Sequence, residues 1–332
     1  MFLGQQRGPH SIESMVQNGY INQMVRTGID VLCLLSNQLE FQMFFTQQSF
    51  KIYMQIVLPY TIISEKEKED IVSDPHEFVN YQIDICQKQK SRTYKSQAAK
   101  LLECIVDHVD GMLTFVVNLN LQIMSHILNG TSASDPYVSE IKQKFSLNIQ
   151  SDEDFLDACL LNISVLSYSL VKRVDLLSSL DELILIHLDK FLDQGTSVLI
   201  KSRFSLFLSF YLDQLFTTAA RTVQEQAFEK VLLFLFQSLN LGKDQKILSL
   251  QALDVLTTQV NDSVLGLKIQ QNFDWIIELI SNYNVNIKLK SYFDFLSGFI
   301  EAHYSNFTQD NLVMFMRSLV ARIQSELQHQ AA

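Results

Sequence analysis

Apolar residues recur at steps of three and four in separate stretches of this chain, and that spacing decides what it can fold into. Ala98, Leu101, Leu102, Ile105, Val106 and Val109 follow it. So do Leu180, Leu183, Ile184, His187, Leu188 and Phe191, and again Leu312, Phe315, Met316, Leu319, Val320 and Ile323. Side chains spaced this way fall on one side of an α-helix, and a helix with one apolar side must bury it against another element. Turn material is scarce: 10 glycines and 4 prolines in 332 residues leave long elements joined tightly. The spacing therefore predicts an all-α chain.

The predicted helices fall in pairs: 92–109 with 111–128, 153–172 with 175–192, 197–216 with 222–239, 244–259 with 264–281, and 285–303 with 308–326. After Asp152 the pair starts recur at about forty to fifty residues, near the period of HEAT repeats, whose helices bury their apolar faces only by stacking on neighbours. This predicts an α-solenoid of HEAT-type antiparallel helix pairs in one domain over 1–332. Within it, 1–63 form partial N-terminal repeats, 64–91 an acidic linker that loops out, and 92–330 successive helix pairs. Residues 12–45 and 49–63 read as helices, the second ending near Pro59. Gly195, Gly242, Asn282 and Asn284 punctuate boundaries, Ser151 and Thr308 are placed to cap helix starts, and 137–145 reads as a short extra helix. The run 231–236 is apolar on two faces, as a helix between its partner and the next repeat requires.

Charge narrows the function classes. A net charge of −10 with a pI near 5.2 repels nucleic acid and anionic membrane and favours basic partners. No apolar run has the length of a membrane span, and residues 1–10 lack the apolar core of a signal peptide. Cys33, Cys86, Cys104 and Cys159 lie far apart within helical patterns, so they read as buried reduced thiols rather than a disulfide framework. Catalytic motifs are missing from the sequence. Gly242-Lys243 lacks the rest of a phosphate-binding loop, and there is no Gly-x-Ser-x-Gly elbow. Cys104 and His108 share a helix face but have no second ligand pair nearby. His187 sits within an apolar stripe as a core histidine. The expectation is a protein that is not an enzyme and holds no cofactor or metal.

One stretch is more specific. It contains Leu58-Pro59-Tyr60, the acidic run Glu65 to Asp70, then Asp74-Pro75-His76-Glu77-Phe78-Val79, Ser91-Arg92, and Ala98 to Leu102. In that order and approximate spacing it resembles the importin-β (karyopherin-β) family of nuclear transport receptors. Ile71 and Val72 stand where the family often has an aromatic residue, and Ser91 and Arg92 are adjacent, so importin and exportin subfamilies both stay open. The resemblance covers the first third by motif and the remainder by repeat architecture. It implies a nucleocytoplasmic transport receptor, or the central part of a longer one. Such a receptor would bind basic protein cargo on its concave surface under control of the GTPase Ran, contact nucleoporins, and reside in cytoplasm, nucleus and nuclear envelope. Direct nucleic-acid binding and membrane insertion are not expected. The alternative is a generic HEAT or armadillo scaffold that assembles other proteins without Ran.

Two sets of acids are the candidate partner-binding residues. The first lies in the acidic stretch: Glu65, Glu67, Glu69, Asp70 and Asp74. In the receptors it resembles, loops of this region lie near the surface where cargo and Ran bind. The second lies on the second helices of the pairs: Asp181, Glu182 and Asp189, then Glu225 and Glu229, then Asp274 and Glu278. Stacked there, they would attract Lys- and Arg-rich segments.

Overall fold

The computed structural model describes residues 12–86, 93–130, 136–144, 151–217, 219–239, 246–259, 273–274, 277, 297–301 and 303–331. Among them the chain is all-α, with no strand.

Helix α1 (Ile12–Ser36) is separated from α2 (Gln42–Ile52) by a turn and a single 3-10 turn at Leu39–Phe41, so the helix expected over 12–45 is broken. The helix expected to end near Pro59 instead passes through it. Proline removes an N–H and its ring crowds the carbonyl one turn back. The chain widens to accommodate this: Tyr53–Val57 is a π turn in which the Leu58 N–H donates to the Tyr53 carbonyl, and α3 (Leu58–Thr61) carries Pro59 in its first turn.

The predicted acidic loop is a second correction. Residues 65–86 form two helices, α4 (Glu65–Ser73) and α5 (Pro75–Cys86); residues 87–91, with Ser91-Arg92, lie outside the described residues. The reason is local. Ser64 and Glu67 make a reciprocal capping box, with the Glu67 N–H donating to Ser64 Oγ at 3.2 Å and the Ser64 N–H donating to Glu67 Oε2 at 2.8 Å. Asp74 then accepts from the Glu77 N–H at 3.2 Å, and Pro75 occupies the first position of α5, where no N–H is needed.

From Thr93 to Gln259 the described helices fall near the spans the spacing selected, except that the helix expected over 153–172 is broken at Leu166 and the one over 197–216 ends at Tyr211. They are α6 (Tyr94–His108), α7 (Met112–Leu128), the short α8 (Pro136–Lys144), α9 (Asp152–Val165) continued by α10 (Ser167–Leu170), α11 (Val174–Leu192), α12 (Val198–Tyr211), α13 (Arg221–Leu239) and α14 (Lys246–Gln259). The last is α15 (Gln309–Ala331). Gly111, at φ +77°, makes the tight reversal between α6 and α7. Ser151 and Thr308 cap α9 and α15 as expected, accepting from the N–H groups of Asp154 and Asn311. Gly242, Asn282, Asn284 and nearly all of the helices predicted over 264–281 and 285–303 lie outside the described residues.

The helices form two ranks. In one, α6, α9, α12 and α14 pack in succession; in the other, α7, α11 and α13 do. The α4–α5 hairpin lies against α6, α9 and α14 of the first rank. Between the ranks the stripes are buried: Leu101, Leu102 and Ile105 of α6, and Leu180, Ile184, His187, Leu188 and Phe191 of α11. Stacked rings run from Phe191 through Phe204 and Phe207 to Tyr211, with centroids 4.5, 5.8 and 4.8 Å apart. Buried Tyr53 joins three elements, because Asn120 of α7 and Asn162 of α9 both donate to its hydroxyl, at 2.7 and 3.3 Å.

The third stripe divides. Phe315 and Asn311 face inward, with Phe315 edge-on to Phe307 at 5.8 Å. Leu312, Met316, Val320 and Ile323 are 43%, 46%, 48% and 38% exposed, so the packed face is rotated away from the one the spacing selected.

Leu188 tests the buried stripe. Leu188→Ala should cost about 2–5 kcal/mol in urea unfolding, because the residue is enclosed between helices. A cost below ~0.5 kcal/mol, usual for surface positions, would mean α11 is seated on another face.

Candidate partner-binding cleft

The α4–α5 hairpin is held by charges that the sequence interleaves at short intervals. Glu67 points inward and pairs with Lys95 of α6 at 2.7 Å, both side chains nearly free of solvent. Lys68, one residue on, turns the other way and pairs with Asp154 of α9 at 2.9 Å. On α5, buried Gln82 accepts from the guanidinium of Arg203 at 2.6 Å, and Arg203 donates to both oxygens of Asp157, at 2.7 and 3.3 Å. Burial alone would raise the Glu67 carboxyl. The neighbouring Lys95 ammonium and the hydrogen bonds from Ser64 outweigh it, and the net direction is below the ordinary carboxylate value.

Seating the hairpin this way opens a cleft of about 440 Å³ between α4, α5 and the start of α6. Its walls include Phe78, Tyr81 and Tyr94, and its acidic side chains are Asp70, Asp74 and Glu77 with the already paired Glu67, beside the ammonium of Lys66. The aromatic side is fixed in place. The Tyr81 hydroxyl is 2.8 Å from Thr93 Oγ1, and Tyr94 meets Tyr60 edge-on at 5.6 Å. Burial first, and then the Glu67 charge, push the Tyr81 phenol up, so it stays a neutral hydroxyl across the physiological range. No ion pair within the described residues occupies Asp70, Asp74 or Glu77. An aromatic wall bordered by carboxylates is the chemistry that takes an alkyl-ammonium or guanidinium: the stem lies on the rings and the cation meets the acids.

The acids expected to bind partners separate into groups. Asp70 and Asp74 line the cleft; Glu69 is exposed outside it; Glu65 is exposed and paired with Lys68 at 3.1 Å. Glu67 is not a surface acid, because the capping box and Lys95 draw it into the interior. Asp181 is likewise buried. Its carboxylate accepts the N–H of Phe216, a residue held at φ +64°, which a bulky side chain rarely adopts without such support. Asp189 pairs with Lys230 across α11 and α13 at 2.6 Å, and Glu225 pairs with Arg221 within α13 at 3.1 Å. Glu182 and Glu229 are exposed. Asp274 is exposed and accepts from Asn311 at 3.0 Å; Glu278 lies outside the described residues. Of the described second-helix acids, Asp181 is withdrawn into the interior, whereas Glu182, Asp189, Glu229 and Asp274 are exposed.

Glu77, Tyr81 and Tyr94 complete the cleft although sequence reasoning did not place them among the partner-binding residues; Glu77 entered only through the 74–79 motif. Glu77 and Tyr81 stand four apart, so they share a face of α5 once that segment is read as helix. Among the described residues there is no cluster of three or more metal-ligating side chains, and no helix is long and apolar enough to cross a membrane. Compared with known proteins, the chain matches no family model, no curated protein and no solved structure.

The Glu67–Lys95 pair gives a pH-dependent prediction. A carboxyl held below its unfolded value contributes stability fully above that value, near 4.5, and loses it as pH falls through the folded value. Glu67→Gln keeps an acceptor for the cap but strands the Lys95 charge, which should cost about 3–5 kcal/mol near neutral pH. The same substitution should flatten the fall in stability below pH ~4.5. An equally steep acid limb in the variant would assign that limb to other carboxyls.

Proposed function

We propose that this chain is a non-catalytic binding protein that captures Lys- and Arg-rich segments of a protein cargo, as the karyopherin-β receptors it resembles do. The observation that carries the reading is the cleft: Asp70, Asp74 and Glu77, in no ion pair among the described residues, beside a wall of Phe78, Tyr81 and Tyr94. Two ranks of successively packed helices support an α-solenoid of HEAT-type pairs, an architecture that acts by presenting extended surfaces to other proteins. The net charge of −10 favours basic partners through the same long-range attraction. On this reading the chain works in cytoplasm and nucleus with Ran and nucleoporins as further partners.

Fluorescence anisotropy with a Lys/Arg-rich peptide tests the cleft. Asp70→Lys with Glu77→Lys should weaken binding roughly tenfold at low salt. Each exposed pair contributes ~0.2–1 kcal/mol, reversal adds repulsion, and ~1.4 kcal/mol is tenfold. The difference should shrink as salt shortens the screening length from about 10 Å at 0.1 M to about 3 Å at 1 M. Binding that is unchanged at low salt, with no preference for basic over acidic peptides, removes the cleft from the reading. GTP-loaded Ran should displace the peptide from a receptor; indifference to Ran marks a scaffold instead.

A further inference from the structure

Two parts of this chain hold large apolar side chains in water. One spans α1 and α2. Ile29 and Cys33 of α1 are buried, and the opposite side of the helix turns Met24, Val31 and Leu34 outward. The turn after α1 adds Leu39, and α2 adds Met43 and Phe44; Leu39 and Met43 are 84% and 74% exposed. The other part is α15. Asn311 and Phe315 are its buried side, while Leu312, Met316 and Val320 stand open on the neighbouring face and line a groove of about 480 Å³ with Arg317 at its side. Single exposed apolar residues are ordinary, whereas sets of this size mark contact surfaces.

We propose that the two faces bind each other between copies of this chain, α15 of one copy against α1 and α2 of the next, in a head-to-tail contact. Charge, shape and coverage favour a second copy as the occupant. Glu40 lies beside Leu39 in the turn of the first face, and Lys51 lies about two turns beyond Met43 on the open side of α2. Asp310 and Arg317 border the α15 face, two turns apart. All four are exposed, and among the described residues none enters an ion pair. Laid antiparallel, α15 brings Arg317 to Glu40 and Asp310 to Lys51. Gly28 supplies the shape. A glycine weakens a helix interior, yet a Cβ at this position would meet no atom within 4 Å, so no neighbour in the chain requires its absence. It leaves a notch between Met24 and Val31 where a second helix can approach closely. Packing α15 against α15 would also match Asp310 with Arg317, but it would leave α1 and α2 in water; the head-to-tail contact covers both faces.

Size sets the strength of the contact. Exposed apolar patches run to about 300–600 Å², and two of that size, paired, bury roughly 1,000 Å², the low end for a specific interface. Association is therefore weak, and a titration from about 1 to about 300 µM brackets it. A contact between two different faces leaves one of each open in every pair, so copies add in a row or close into a ring. The cleft between α4, α5 and α6 lies on neither face, so peptide capture and self-association are separate properties and fail separately.

Sedimentation velocity on the full chain is the test, and the parent should gain mass across that range of concentration. Met43→Glu and Met316→Glu each put a charge into one face at an exposed position, so both should keep the parent's circular dichroism. Each alone should stay monomeric where the parent associates. Mixed, they should form a one-to-one pair that does not extend, because each supplies the face the other has lost. Arg317→Glu should weaken association at least about tenfold at low salt by meeting Glu40 with a like charge. Adding Glu40→Arg to the same chain should restore it. A parent that stays monomeric throughout overturns the proposal. So does either glutamate variant that dimerises alone, since a face would then be meeting itself, or an Arg317→Glu loss that Glu40→Arg does not restore.

Discussion

A guanidinium almost without contact with water sits where α5, α9 and α12 meet. Arg203 is 2% exposed and Asp157 is fully enclosed, and the fork of hydrogen bonds between them is completed by Gln82. Removing such ions from water costs several kcal/mol each, and their attraction offsets that only when geometry is good and the remaining donors are satisfied. Well-packed apolar residues could have stabilised such a junction equally, so the pair matters most through the cost of leaving either partner buried alone. A hairpin displaced by one turn would leave the Arg203–Asp157 pair in place but remove the Gln82 acceptor from the guanidinium. The cleft depends on that seating, because two of its walls are α4 and α5 and the third is the start of α6.

Much of this was legible from residues, but unequally. The stripes of α6 and α11 were readable because both helices are covered by neighbours and burial follows spacing. The stripe of α15 was misread, because apolar spacing reports a helix face and not whether anything covers it; Phe315 turns inward while Leu312 and Met316 do not. The acidic stretch was misread for a different reason. Its composition resembles a solvated loop, yet Ser64-x-x-Glu67 and Asp74-Pro75 are helix-start signals that outweigh composition. Pro59 was taken as a stop because proline breaks an ordinary α-turn. A π turn is a tertiary accommodation that no local pattern announces, and here buried Tyr53 and Met54 fill it.

The cleft was half legible. Asp70 and Asp74 could be named from the acid run alone, while Tyr81 and Tyr94 join them only through the fold. Asp181 shows the reverse case. Its position opposite an apolar stripe marks an outward acid, but the left-handed turn at Phe216 requires a buried acceptor, and Asp181 supplies it.

The charges of this region are sorted by side. Toward the ranks of helices the three carboxylates nearest the junction are paired: Glu67 with Lys95, Asp154 with Lys68, and Asp157 with Arg203. Burial enforces this matching, since an unpaired internal charge would cost more than the fold can sustain. Toward the cleft no such requirement acts, and among the described residues Asp70, Asp74 and Glu77 enter no ion pair, with Lys66 on the same lining. Solvation makes an unmatched surface charge cheap to keep. Interior matching uses up lysines and arginines, and part of the chain's net negative charge is left on this rim. A partner that brings ammonium or guanidinium groups to the rim meets an aromatic wall already held in place by Thr93 and Tyr60, so little ordering remains to oppose its binding.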